Sequence, residues 1–178
     1  MKRGFGSKGQ IWVETMVYTL IAFALIGIVL MFVKPKIEEI QDTSIIEQSI
    51  KVLEDLDFVI NTLGGPGNQR VVELGVSKGA FFIDGSNDEI LFKMESKTGY
   101  SEVGSNVTIG KIIANTQRKG SANEITLRSS YAGEYNLTFQ NTEELKEITK
   151  ASIPYKLIIS DKGEDLEGDK IINLEVSS

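Results

Sequence analysis

Chemistry in this chain must come from carboxylates, amines and hydroxyls, because histidine and cysteine are both absent. Without imidazole the commonest general base and zinc ligand are gone. Without thiols there is no disulfide, iron–sulfur cluster or thiol nucleophile. Five carboxylates crowd into DKGEDLEGDK, residues 161–170. Calcium favours such oxygen ligands, but the EF-hand spacing is not met and lysines interrupt the cluster, so the stretch reads as a solvated hairpin loop. GGPGNQR, residues 64–70, lacks the Gly-Lys-Ser/Thr ending of a phosphate loop and follows a helical pattern; it reads as a linker. Serine and threonine are plentiful, yet none has an identifiable base partner. The sequence therefore predicts no catalytic residue, no metal, no cofactor and no enzyme. A net charge of −6 argues against a nucleic-acid partner.

One further carboxylate, Glu14, stands just inside an apolar run. From 16 to 33, MVYTLIAFALIGIVLMFV, no residue is charged. At the α-helical rise this is about 27 Å, close to the ~30 Å hydrocarbon core of a bilayer. A cleaved secretory signal would have a shorter apolar region and a small-residue cleavage site; this run is longer and ends in MFVKPK. A retained membrane helix is expected. Lys2, Arg3 and Lys8 precede it and Lys34 and Lys36 follow, a slight positive-inside bias toward a cytoplasmic N-terminus. The acidic remainder, with N-x-[ST] sequences at Asn106 and Asn136, is then expected outside the cell, both asparagines being candidates for glycosylation. Asn106, in the turn-like GYSEVGSNVT, is the better candidate; Asn136 falls in an expected strand. Trp12 and Tyr18 are placed to act as interface aromatics.

Glu14 has two readings. At the headgroup boundary it is simply solvated. Deeper, it needs a partner, because an unpaired carboxylate in lipid costs several kcal/mol or is forced to protonate. The surrounding pattern, Lys8-Gly9-Gln10 with Glu14 fifth counting from Gln10, resembles the start of archaeal type IV pilin-like precursors with a Gln-first, class III type of signal. Trp12 departs from that subclass, which commonly has a small hydroxyl residue there. The resemblance covers residues 2–33. It implies cleavage between Gly9 and Gln10 by a membrane prepilin peptidase, retention of the apolar helix, and use of Glu14 to register one subunit against a neighbour's new amino terminus at Gln10. The physics is compatible: the new α-amino group is a cation at the membrane edge, and pairing with it at low dielectric is favourable and orienting.

The elements that would carry these residues follow. Pro35 removes one helical hydrogen bond and either kinks or ends the helix. An apolar stripe resumes at once through Ile46, Ile50, Leu53, Leu56, Ile60 and Leu63, widened by Ile45, Val52 and Val59. Glu47, Gln48, Lys51, Glu54, Asp55 and Thr62 fall on the opposite face, so an amphipathic helix is expected to cover a core. GGPG ends it. Phe58 alone projects from the polar face, either as a stray exposed aromatic or as a contact to a neighbouring subunit.

Beyond residue 67, nine short β-rich runs separated by turns predict an antiparallel sandwich or barrel. DGSND reads as a turn in which Gly85 and Asn87 can take unusual backbone angles. NTEELKEITK, residues 141–150, reads as a short helix capped by Asn141. The expected class is therefore α+β: a leader over 1–9, a membrane or filament-core helix over 10–33, an amphipathic extension over 34–63, and an extracellular β-rich domain over 64–178.

The resemblance implies a structural subunit of a pilus-like surface filament. Its partners would be copies of itself or related subunits, the prepilin peptidase, a pilus assembly platform and the membrane. A membrane-anchored binding protein that never polymerises, such as an archaellum accessory or surface-layer-binding component, fits the same elements.

Overall fold

The computed structural model describes residues 7–166 and 168–177, with side chains from Ile11 onward. One helix, α1 (Ser7–Thr62), precedes ten strands. They are β1 (Gln69–Leu74), β2 (Ala80–Asp84), β3 (Glu89–Ser96), β4 (Asn106–Ile109), β5 (Ile112–Lys119), β6 (Ala122–Ser130), β7 (Tyr135–Phe139), β8 (Lys146–Thr149), β9 (Tyr155–Glu164) and β10 (Lys170–Ser177). Two compact units divide the chain between Gln41 and Asp42.

In the first unit α1 passes through Pro35 without ending, although the proline has no N–H to give the Met31 carbonyl. Lys36 pairs with Glu39 at 2.7 Å one turn on.

In the second unit the strands form two sheets, ordered β1-β9-β10-β7 and β4-β5-β6-β3-β2-β8. Two open sheets decide for a sandwich over a closed barrel. All pairings among these strands are antiparallel except β7 with β10, which is parallel. The six-stranded sheet alternates inward apolar with outward polar residues, as in Ile125 and Leu127 against Glu124, Thr126 and Arg128 on β6, whereas β7, β9 and β10 of the other sheet also bury the polar Thr138, Ser160, Asp161 and Asn173. The stripe Ile46, Ile50, Leu53, Leu56, Ile60 and Leu63 is buried in the same core as Phe81, Phe92, Leu137, Ile159 and Leu174. Each such side chain contributes about 1.5–3 kcal/mol when buried. Polar ties hold the helix in place: Asp42 with Lys78, Asp57 with Lys111 at 3.7 Å, and Asn61 Oδ1 accepting from the Tyr135 hydroxyl at 3.1 Å.

The C-terminus of α1 carries no basic residue of its own. Lys170 of β10 fills that role, its Nζ lying 3.4 and 3.3 Å from the Leu63 and Gly64 carbonyl oxygens. A cation there answers both the unpaired carbonyls and the negative end of the helix. Lys170 also pairs at 3.0 Å with Asp161, whose side chain is 0% exposed. Asp161 is thus a buried structural partner, not part of a solvated loop; only 165–169 connect β9 to β10.

Two other local expectations are overturned. Residues 141–150 are not helical: after a tight turn at Phe139 and Thr142, β8 adds to the edge of β2. Of β8 only Ile148 is buried, so the segment has no helical apolar face to bury, and pairing at an open edge satisfies its backbone. In DGSND the residue with positive φ is Asp88, at 51°, and neither Gly85 nor Asn87. Gly85 is needed for closeness instead: a Cβ there would lie 2.6 Å from Glu143 Cα and from the Leu137 carbonyl oxygen.

Candidate functional site

Glu14 lies in the first unit, on a part of α1 whose side chains from 11 to 36 are all exposed in the single chain. Its carboxylate is not alone. The Tyr18 hydroxyl donates to Glu14 Oε1 at 3.2 Å, one helical turn away. Beside them Thr15 Oγ1 donates to the Ile11 carbonyl at 2.9 Å and Thr19 Oγ1 to the Thr15 carbonyl at 2.8 Å. The hydroxyls of both threonines are therefore turned onto the backbone, while Glu14 and Tyr18 form a polar couple on the surface. Tyr18, expected as an interface aromatic, is also the donor that orients Glu14; the four-residue spacing between them was the signal for it.

By length and composition this stretch of α1 can cross a membrane. None of its most apolar window is buried within the chain. A helix apolar on all sides is at equilibrium only in lipid or among other apolar helices. Residues 1–6 lie outside the described residues, and the expected cleavage junction at Gly9 and Gln10 is described only as helical backbone.

In the second unit Phe58 is 64% exposed on the polar face of α1. The two sequon asparagines differ: Asn106 is exposed at the start of β4, and Asn136 is half-buried in β7.

Acidic groups converge at one place that sequence spacing did not bring together. Asp88, Glu143, Asp165 and Asp169 line an open depression with Asn136. Burial first, then the charges of Glu143, Asp169 and Asp84, push the Asp88 carboxyl above its ordinary value, against a lowering hydrogen bond from the Leu137 N–H at 2.8 Å. Among the described residues no group of acidic side chains is arranged to hold a metal ion. Compared with family models, with curated proteins and with solved structures, the chain matches none.

Proposed function

We propose that this chain is a structural subunit of a type IV pilus-like surface filament, assembled through its N-terminal helix after cleavage between Gly9 and Gln10. The observation that carries the reading is the pairing of an all-round exposed apolar helix, bearing one oriented carboxylate at Glu14, with a second unit that builds its own core from residue 42 onward. The helix needs partners that the chain does not supply. In the membrane those are lipids; in a filament they are the same helices of other copies. The exchange is nearly neutral in hydrophobic energy, so packing and the charge pair at Glu14 decide it. The N-terminus is cytoplasmic and the β-sandwich extracellular. The prepilin peptidase and an assembly platform are the transient partners, and the role is structural, not catalytic.

One observation favours a second reading. The Tyr18 hydroxyl already gives Glu14 a donor within its own helix, so the carboxylate is tolerable without a neighbour. On that reading the chain is a membrane-anchored surface-binding protein, of the archaellum-accessory or surface-layer-binding kind, and never polymerises.

Blotting of membrane and sheared surface fractions separates the two. The filament reading predicts wild-type chain in sheared fibres. It also predicts that Glu14→Gln leaves mature protein in the membrane and removes it from the sheared fraction. Normal fibres from Glu14→Gln would refute the pairing role; a wild type that never enters the sheared fraction would refute the filament.

A further inference from the structure

Asn106 and Asn136 begin the same type of tripeptide, and the fold treats them in opposite ways. The Asn136 Oδ1 is buried, and its Nδ2 donates to Asp165 Oδ2 at 3.4 Å. The hydroxyl of Thr138, two residues on, is buried and donates to Asn173 Oδ1 at 3.0 Å. Both groups that define the sequon are therefore already engaged, the Asn136 amide with a loop carboxylate and the Thr138 hydroxyl inside the sheet.

Asn106 is exposed on β4, an outer strand of the six-stranded sheet, and Thr108 is exposed on the same strand face. Asn115 Nδ2 donates to Asn106 Oδ1 at 2.7 Å. That bond fixes the amide plane by its oxygen and leaves the Asn106 Nδ2 without a protein partner among the described residues. An N-linked modification needs this nitrogen to be the free one.

The ground next to Asn106 suits a sugar. Cross-strand register sets Asn106 opposite Asn115, Asn115 opposite Thr126, and Thr126 opposite Lys93. These four form an outward row of amide, amide, hydroxyl and ammonium. Half-buried Ile113 and Leu91 lie in the neighbouring row and offer apolar footing for the C–H faces of a ring. All six residues line one open depression of about 500 Å³. Ligand pockets commonly span roughly 300–1,000 Å³, so a short oligosaccharide is of the right size.

We propose that Asn106 carries an N-linked glycan whose first sugars lie along the row formed by Asn115, Thr126 and Lys93. The proposal rests on the reading that the β-sandwich is extracellular. In the transfer, the Asn106 amide nitrogen attacks the anomeric carbon of a lipid-linked oligosaccharide phosphate or diphosphate in a membrane transferase. The N–C1 bond forms as the C1–O bond to phosphate breaks. The phosphate leaves with the bonding pair, the nitrogen loses one proton to a transferase base, and nothing is oxidised or reduced.

The test uses full-length protein purified from the cells that make it, with peptide mass mapping across 106 and 136. Expected is a sugar mass on the peptide containing Asn106, lost in Asn106→Gln and in Thr108→Ala, retained in Thr108→Ser, with the Asn136 peptide bare. Amide exchange in β5 and β6 is expected to be several-fold slower in the glycosylated protein than in Asn106→Gln. An unmodified Asn106 on a domain that added protease removes from intact cells overturns the proposal and leaves the topology standing. A domain protected until lysis overturns the topology and the proposal together. Modification at Asn136 instead overturns the site. Equal exchange with and without the glycan overturns the docking.

Discussion

The two halves of α1 differ in where their apolar residues go. Between 11 and 33 these residues surround the helix and stay in the open, Leu25 at 58% and Phe32 at 71% exposure. Between 42 and 62 all but Phe58 keep to one stripe that packs on the core, Leu53 and Ile60 both at 0%. Helical propensity is ample in both halves and does not distinguish them. What differs is the arrangement: a stripe finds its partner inside its own chain, and a helix apolar all round must find it elsewhere. The polar contacts follow the same division. Asp42, Asp57 and Asn61 reach residues distant in sequence, Lys78, Lys111 and Tyr135, while Glu14, Thr15 and Thr19 bond within one turn of their own helix among the described residues.

Truncating matched leucines is the strongest way to break this contrast. Leu53→Ala should cost about 2–5 kcal/mol of sandwich stability through lost burial and a cavity. Leu25→Ala should leave it unchanged, because Leu25 is exposed in the chain and is not one of that core's residues. Denaturant unfolding of the full chain in detergent, followed by the near-ultraviolet signal of the sandwich tyrosines, measures both. A comparable loss from Leu25→Ala would mean the halves are not independent.

Charge pairs sharpen it next. Lys170→Met strands Asp161 in the interior and uncaps α1, and about 3 kcal/mol should be lost, the lower end for a broken buried pair. Lys36→Met breaks an exposed pair on the other half, where about 0–1 kcal/mol is expected. The same unfolding curves would show equal costs if exposure were irrelevant.

The smallest effect is a gain. Asp88 carries a carboxyl whose folded pKa is raised by burial and by neighbouring acids. Its contribution to stability is fully present below the ordinary value of 3.8 and is lost as pH rises through the raised folded value. Asp88→Asn should therefore raise the melting temperature slightly at neutral pH, and the gain should fade as pH falls below about 4. Asparagine keeps an acceptor for the Leu137 N–H and tolerates the positive φ of this position. A gain that persisted unchanged at low pH would point to backbone preference instead of charge.

The sequence made the buried stripe of α1, the stop at GGPG and nine of the strands legible, because each is a local pattern with a period or a breaker. Three features were beyond it, each for lack of local cause. β8 exists because β2 offered an open edge. The parallel match of β7 with β10 joins segments separated by two intervening strands. Asp161 and Lys170 sit in a charge-rich stretch that reads as solvent-exposed, and only the fold turns Lys170 onto the end of a helix more than a hundred residues earlier, with Asp161 buried against that lysine. For the candidate site, Glu14 stood out as a charge in an oily run, and the Tyr18 bond was available from spacing alone.

The filament account depends first on the chain losing its leader. Amino-terminal sequencing of protein taken from native cells tests this directly. The account predicts a mature chain starting at Gln10, with Gly9→Val blocking the cut by adding a branched side chain at a junction that resembles one requiring a small residue. A chain that retains residues 1–9 in cells with an active prepilin peptidase would contradict it.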